Sequence, residues 1–355
     1  MKIGIVGLPY SGKKTLFSAI IEEEIDINHP SLMKNRYVAN MVDIYDPRLE
    51  KLNEIYQPKK KVPAKIEFVY FMGIQQEKKD FKGFEAELLN HYKTMDGFIV
   101  VLKAFGDIGN LSSDFETILS EFMISDQIII ENRLERIEKQ LKKTNDVELK
   151  FEKEVLEKLL NNIENNIPIA NVEISDKEEK VIRGYKFLTQ KPILIALNVD
   201  EEKWQQNIKA EDLLDKDILD RYKTFVISAE IEKEIALLEP NDREEFMKDY
   251  NIEEPATVKV IKSAFDLLNY IYFFTVGEDE VRAWPIKKGI NAQKAAGTIH
   301  SDIEKGFIRA EVVHYDDFIA CGCSMQKAKE KGLWRLEGKE YIVKDGDIIN
   351  FRFAI

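Results

Sequence analysis

Cysteine is nearly absent from this chain: Cys321 and Cys323 are the only two in 355 residues, and one residue separates them. Neighbours that close do not make a disulfide framework, and without further cysteines or histidines beside them they do not make a zinc site. Inert thiols in a reducing cytosol are expected. No apolar run approaches the ~20 residues that a membrane-spanning helix needs, so no membrane partner is expected. A secretory leader is not expected either, because Lys2–Val6 reads as a short strand interrupted by Gly7. Positive charge is in short supply as well: 52 Lys and Arg against 64 Asp and Glu give a formal net charge of −12. That argues against a general nucleic-acid coat protein. The deficit is uneven. From Val276 to Ile355 there are 13 acidic and 13 basic residues, so the whole imbalance lies upstream and an RNA-facing surface in that stretch would meet no opposing local field.

What is present describes packed globular domains: 44% hydrophobic and 33% charged residues, in a chain long enough for two or three domains. The first 105 residues alternate strand and helix patterns. Strands are expected at Lys2–Val6, Tyr37–Ile44, Ala64–Phe71 and Gly97–Leu102, with helices at Lys14–Ile21 and Phe84–Met95. The pattern resumes with strands at Pro192–Asn198 and Lys223–Ser228, followed by helices to about Leu268. Short apolar strands joined by helices make an α/β architecture with a largely parallel sheet. Between the two halves the texture changes. From about Asp114 to Lys186 glycine nearly disappears, and Ile130, Leu134, Ile137 and Leu141 recur at the spacing of a coiled-coil seam. Phe151, Val155, Leu156, Leu159 and Ile163 continue it after a turn at Thr144-Asn145-Asp146, giving a helical hairpin. Past Val276, glycines recur between short strand patterns such as Phe307–Val313, Lys339–Val343 and Ile348–Phe353, a small α+β domain.

The motif with most chemical content is GIVGLPYSGKKT. Gly7 directly follows a buried strand and Gly12-Lys13 directly precedes a helix, the setting a phosphate-binding loop requires. Its glycines turn backbone N–H groups inward, the helix N-terminus adds its dipole, and Lys13 can reach terminal phosphates. The candidate residues are Gly7, Pro9, Tyr10, Ser11, Gly12, Lys13, Lys14 and Thr15. The position that should carry a Mg²⁺-binding Ser or Thr carries Lys14. Thr15 lies about 100° further round the helix and does not simply replace it.

Several longer strings resemble the Obg-like ATPase (YchF) family: GIVGLP at the start, DPRLEKLNEIYQPKKKVPAKIEFV from Asp46, SDKEEKVIRGYKFLTQKPILIALNVDE, VRAWPIKKGINAQKAAGTIHSDIEKGFIRAEVVHYDDF, and WRLEGKEYIVKDGDIINFRF. Together they span nearly the whole chain. The resemblance implies a Ras-like P-loop NTPase domain (1–110 and 187–275), a helical coiled-coil insertion (111–186) and a C-terminal β-grasp or TGS domain (276–355). It implies ATP or ADP in preference to GTP and links to ribosomes and stress responses, with ribosome or RNA contact through the insertion and the TGS domain; a cytoplasmic monomer is expected. Asn198-Val199-Asp200-Glu201 stands where the family carries N-x-x-E in place of N-K-x-D. Asn198, Val199 and Glu201 are therefore base-reading candidates, with helix capping as the alternative. Ser228, Ala229 and Glu230 should close over the base, and Gly73 should meet the terminal phosphate.

The chain departs from the family where catalysis is concerned. Tyr70 replaces the aspartate that holds Mg²⁺ through water, Met33 falls where a switch threonine would, only Gly83 survives of the glycine-rich switch, and the abbreviated segment after Phe105, GDIGNLSSD, contains no histidine. His91 reads as a structural or solvent-facing residue. Ordinary Mg²⁺ binding is therefore not expected, no catalytic residue is assigned, and hydrolysis should be weak or lost. Two alternatives stay open: an active Mg²⁺-dependent ATPase or GTPase that uses the altered residues, and a ribosome- or RNA-associated adaptor that binds no nucleotide.

Overall fold

The computed structural model describes residues 1–26, 28–72 and 86–354. Twelve strands lie among them: β1 (Lys2–Val6), β2 (Tyr37–Asp43), β3 (Lys60–Val62), β4 (Lys65–Phe71), β5 (Gly97–Ala104), β6 (Ile193–Val199), β7 (Lys223–Ile227), β8 (Tyr270–Thr275), β9 (Glu280–Lys287), β10 (Phe307–His314), β11 (Arg335–Glu337) and β12 (Asp347–Phe353). They form two six-stranded sheets, ordered β2-β4-β1-β5-β6-β7 and β11-β10-β12-β8-β9-β3. The chain divides into two compact units, Met1–Asn40 with Glu67–Val260 and Met41–Ile66 with Ile261–Ile355.

In the first unit β1 lies between β4 and β5, parallel to both, and β5, β6 and β7 continue in parallel. The near-continuous apolar strands follow from this arrangement: Phe98, Ile99, Val100, Val101 and Leu102 are all buried, as a strand covered on both faces must be. Parallel strands place their carboxyl ends on one edge, and the loop after β1 opens there. The helices Leu111–Leu141 and Val147–Glu164 pack on one another around Ile130, Ile137, Val155, Leu156 and Leu159. Asp146 caps the second of them, accepting from the backbone N–H of Glu148 at 2.9 Å. The pair is anchored by Asp126, whose buried carboxylate accepts from Leu188 N, Thr189 N and Thr189 Oγ1 at 2.8, 2.8 and 2.7 Å. Burial raises that carboxyl to about 6 although all three bonds oppose the rise.

The second unit's sheet is mixed. β10 pairs antiparallel with β11 and β12, β12 runs parallel to β8, β8 antiparallel to β9, and β9 parallel to β3. β3 comes from the early segment Met41–Ile66, which is held in this unit by Arg48. The Arg48 guanidinium bonds to Asp46 and Asp345, each at 2.7 Å, and lies over the ring of Phe274 at 5.3 Å. Two features depart from the sequence expectation. Tyr270–Thr275 is a strand of this sheet, although the sequence reading began the C-terminal domain only at 276. Lys339–Val343 does not form the expected strand, since only an isolated bridge joins Ile342 to Asn291. Its ladder pairing is confined to that bridge, which Val343 N makes by donating to the Ile290 carbonyl at 3.1 Å and Ala292 N by donating to the Tyr341 carbonyl at 2.7 Å, while the Tyr341 hydroxyl donates to Asp347 at 2.7 Å.

Candidate functional site

The run Lys2–Val6 extends as β1 because it is apolar and flanked by buried strands, and the chain then has six residues in which to reverse into the helix Lys13–Ile21. Gly12 makes that reversal. Its φ of 89° lies in the left-handed region, and a Cβ there would stand 2.0 Å from Asn198 Nδ2. Gly7 meets a similar limit, since its Cβ would stand 2.4 Å from the Val101 carbonyl oxygen. Both glycines are fixed by close approach.

Lys13 follows as the first helical residue and is only 5% exposed. Its ammonium donates to the Leu8 carbonyl across the loop at 2.6 Å. Among the described residues no carboxylate pairs with it, and burial alone pushes it down to about 8. A buried cation with no carboxylate partner among the described residues, framed by a reversing backbone at a helix N-terminus, has the charge and donors that an anion would meet. The loop borders a cavity of about 1060 Å³ lined by Pro9, Tyr10, Ser11, Gly12, Lys13, Lys14, Thr15 and Glu230.

Asn198 ties this loop to a second one. At 5% exposure it uses both ends of its amide internally: Nδ2 donates to the Ser11 carbonyl at 3.1 Å and Oδ1 accepts from Ala229 N at 2.9 Å. Ser228 and Ala229 are buried, and Glu230 follows in the first turn of the helix Ala229–Leu237. Val199 is buried beside Asn198 on β6. Asp200 caps the helix Glu201–Gln205, accepting from Lys203 N at 3.0 Å, and also pairs with the Lys203 ammonium at 2.6 Å. Those contacts hold its carboxyl below the usual range. Glu201 is exposed, and its carboxylate accepts from the Tyr250 hydroxyl at 2.7 Å. Gly73 and Gly83 lie outside the described residues.

Tyr70 occupies the cavity wall at the end of β4, stacked on Phe17 with ring centroids 5.8 Å apart. Burial raises its phenol above its ordinary value, so it is neutral at pH 7. Lys14 and Thr15 are half-buried along the same cavity. Met33 is 70% exposed on the helix Pro30–Asn35, and His91 lies against the Tyr37 ring at 4.4 Å. Among the lining residues that the sequence does not single out are Lys103 near the end of β5, Phe105 just after it, and Asp114 in the first turn of the long helix. The Lys103 ammonium sits 5.4 Å from the Phe105 ring, and burial raises the Asp114 carboxyl. For Lys103 and Phe105 the one sequence signal is position, at the carboxyl end of a central parallel strand.

The comparisons agree in direction. A family model, YchF-GTPase_C, described as a protein of unknown function (DUF933), matches residues 270–354. The Ribosome-binding ATPase YchF of Bacillus subtilis (strain 168) is 39% identical, covering 99% of each chain. The protein of the same description from Escherichia coli O157:H7 is 35% identical over 100% of this chain and 99% of its own. Obg-like ATPase 1 of Oryza sativa subsp. japonica is 33% identical over 100% of this chain and 92% of its own. The solved structure of the Schizosaccharomyces pombe YchF GTPase superposes with a TM-score of 0.85 at 29% identity, covering 99% of this chain and 97% of that one.

Proposed function

This chain belongs to the YchF (Obg-like ATPase) family, and from that premise we propose that it binds ATP or ADP on the Gly7–Thr15 loop with its capacity for hydrolysis weak or lost. The observation that carries the binding half is Lys13, a buried ammonium facing the loop with no carboxylate partner among the described residues. The loop N–H groups and this cation would hold the phosphates. Phe105 offers an apolar ring beside the loop, and Asn198 acts as a positioning residue joining the loop to Ser228-Ala229.

Adenine is favoured over guanine. Guanine needs an acceptor for its N1–H and exocyclic amine, and both carboxylates in the Asn198–Glu201 string are already engaged, Asp200 with Lys203 and Glu201 with Tyr250. Because one imperfectly satisfied polar group is worth about 1–3 kcal/mol, the preference is expected to be roughly 5- to 150-fold. A competition titration of ATP against GTP tests it, and equal or tighter GTP binding would overturn it.

Mg²⁺ fits the donor set poorly. The metal wants oxygen ligands in near-octahedral array, and the two places that should supply them hold a cationic Lys14 and a neutral, buried Tyr70. This supports weak hydrolysis, because phosphoryl transfer draws much of its charge stabilisation from the metal. Asp114 is the observation that favours the other reading: a carboxylate on the same cavity could assist a displaced cation, as an active ATPase would require.

Nucleotide affinity should depend on pH through Lys13. In the free protein its proton is lost near pH 8, whereas bound phosphates favour the charged form. Affinity is therefore full below pH 8 and falls as pH rises above it, with proton uptake on binding. Calorimetry of ADP at pH 8.5 in buffers of different ionisation enthalpy measures that uptake. Zero uptake with constant affinity from pH 7 to 9.5 would remove Lys13 from the site.

The wider assignment follows the relatives. The bacterial relatives are described as ribosome-binding, which supports a ribosomal partner and with it a cytoplasmic protein, and we propose a monomer. No described helix is long and apolar enough to cross a membrane. We assign the unit Met1–Asn40 with Glu67–Val260 to the nucleotide domain, with 111–186 inside it as a coiled-coil insertion, and the unit Met41–Ile66 with Ile261–Ile355 to a TGS domain, the insertion and the TGS domain being the contact surfaces for ribosome or RNA.

A further inference from the structure

The charges around the phosphate loop run against the field of the molecule. The chain carries −12 overall, yet the cavity beside the loop is lined by three lysines, Lys13, Lys14 and Lys103, against two carboxylates, Asp114 and Glu230. One of those carboxylates is shared, since Glu230 also pairs with Lys233 at 3.8 Å. Two of the lysines are occupied in the free protein. Lys13 donates to the Leu8 carbonyl at 2.6 Å, and the Lys103 ammonium lies 5.4 Å from the Phe105 ring. Lys14 differs from both. It is half-buried along the cavity, and its side chain makes neither a hydrogen bond nor an ion pair among the described residues.

Position decides what that side chain can do. Lys14 is the second residue of the helix Lys13–Ile21, directly after the lysine of the loop. In an ordinary phosphate loop this place holds a hydroxyl on Mg²⁺, and the metal bridges the terminal phosphates and cancels part of their charge. A protonated amine cannot ligate the metal, but it attracts the same phosphate oxygens. Its long flexible stem and three N–H donors let it bond those oxygens directly, where a serine would reach only as far as the ion. The second ordinary support of the metal is missing too, because Tyr70 presents a buried, neutral phenol whose ring is held on Phe17 at 5.8 Å. The cavity thus lacks the ordinary ligands of the metal and holds an uncommitted cation in their place.

We infer that the Lys14 ammonium is the tethered counter-ion of the bound nucleotide, bonding its β- and γ-phosphate oxygens directly and freeing affinity from Mg²⁺; this rests on the nucleotide reading above and names the group that does the metal's electrostatic work. Lys13 and Lys14 then divide the phosphates between them, the first from beneath the loop and the second from the first turn of the helix.

The test titrates ATP, ADP and AMP calorimetrically into the full chain in EDTA. It compares the wild type with Lys14→Met, which keeps an unbranched stem and removes the charge. Kd for ATP and ADP should rise about tenfold or more, and Kd for AMP less than about threefold, because only the outer phosphates meet the ammonium. Lys14→Ser should lose as much in EDTA and regain part of the loss in Mg²⁺, since its hydroxyl is a metal ligand. Lys14→Met should regain little. Ligand-free Tm should stay at the wild-type value in both variants, because the side chain has no partner among the described residues to lose. Unchanged ATP and ADP affinity in Lys14→Met, in a protein whose binding still depends on Lys13, would overturn the counter-ion and leave the nucleotide site standing. An equal loss for AMP would overturn it too, since the charge would then act as a diffuse field. If the wild type binds none of the three nucleotides, the nucleotide site itself fails and the counter-ion with it.

Discussion

Lys13→Ala should raise the Kd for ADP and ATP at least tenfold, about 1.4 kcal/mol, and the direction follows from the burial of its ammonium. In the free protein that cation has exchanged water for a single carbonyl, Leu8 O at 2.6 Å, and has no carboxylate partner among the described residues. Polyanionic phosphates would supply several charge-assisted bonds where one neutral acceptor now stands, and the low-dielectric surroundings strengthen each of them. Removing the side chain forfeits those bonds without emptying a folded-state ion pair. The ligand-free Tm should therefore hold or rise, because an unpaired buried charge is a cost to folding. The stabilisation that saturating ADP confers should shrink in step with the affinity. Thermal melts with and without ADP check both statements. Undiminished ADP stabilisation in Lys13→Ala would place the nucleotide elsewhere or nowhere.

Lys14→Ser combined with Tyr70→Asp should convert a metal-indifferent site into a metal-dependent one. In the wild-type chain, ATP affinity should change less than about threefold between EDTA and Mg²⁺, because Lys14 sits where a hydroxyl ligand belongs and Tyr70 where a carboxylate belongs. The double variant should bind ATP tenfold or more tightly with Mg²⁺ than without. Tyr70→Asp also loses the stacking on Phe17 and places a carboxylate at a buried position, so its Tm should fall. Lys14→Ser alone avoids that cost and should show a smaller gain of the same sign. Turnover should recover only in part, since the family's catalytic histidine has no counterpart after Phe105. A double variant that folds, binds ATP and remains indifferent to Mg²⁺ would mean that the metal ligands come from other residues, with Asp114 the first to test.

The loop itself was legible in the sequence because its requirements are local. A buried strand, two glycines at fixed spacing and a lysine at a helix start leave few alternatives, and the structure shows why each glycine is needed, Gly7 against the Val101 carbonyl and Gly12 against Asn198. The role of Asn198 as a tie was not legible, because it depends on partners 187 and 31 residues away in the chain. Glu201 shows the same limit: its carboxylate is drawn to Tyr250 by a fold-level encounter that no spacing announces. Phe105 and Lys103 reach the cavity only because β5 is central and parallel, so its carboxyl end points at the loop after β1. Arg48 illustrates the converse. Asp46-Pro47-Arg48 looks like an ordinary helix start, yet the side chain spans to Asp345 and holds an early segment in a late unit. The segment Lys339–Val343 carries strand-like residues, but its ladder pairing stops at the single bridge to Asn291.

The central claim, nucleotide binding without ordinary metal-driven hydrolysis, is tested most directly on the unmodified protein by one paired measurement. ATP is titrated calorimetrically in EDTA and in Mg²⁺, and phosphate release is followed in the same two solutions. The account predicts binding in both, with Kd values within about threefold of each other, and phosphate release no faster with Mg²⁺ than without it. Binding that requires Mg²⁺, accompanied by steady Mg²⁺-dependent turnover, would contradict it.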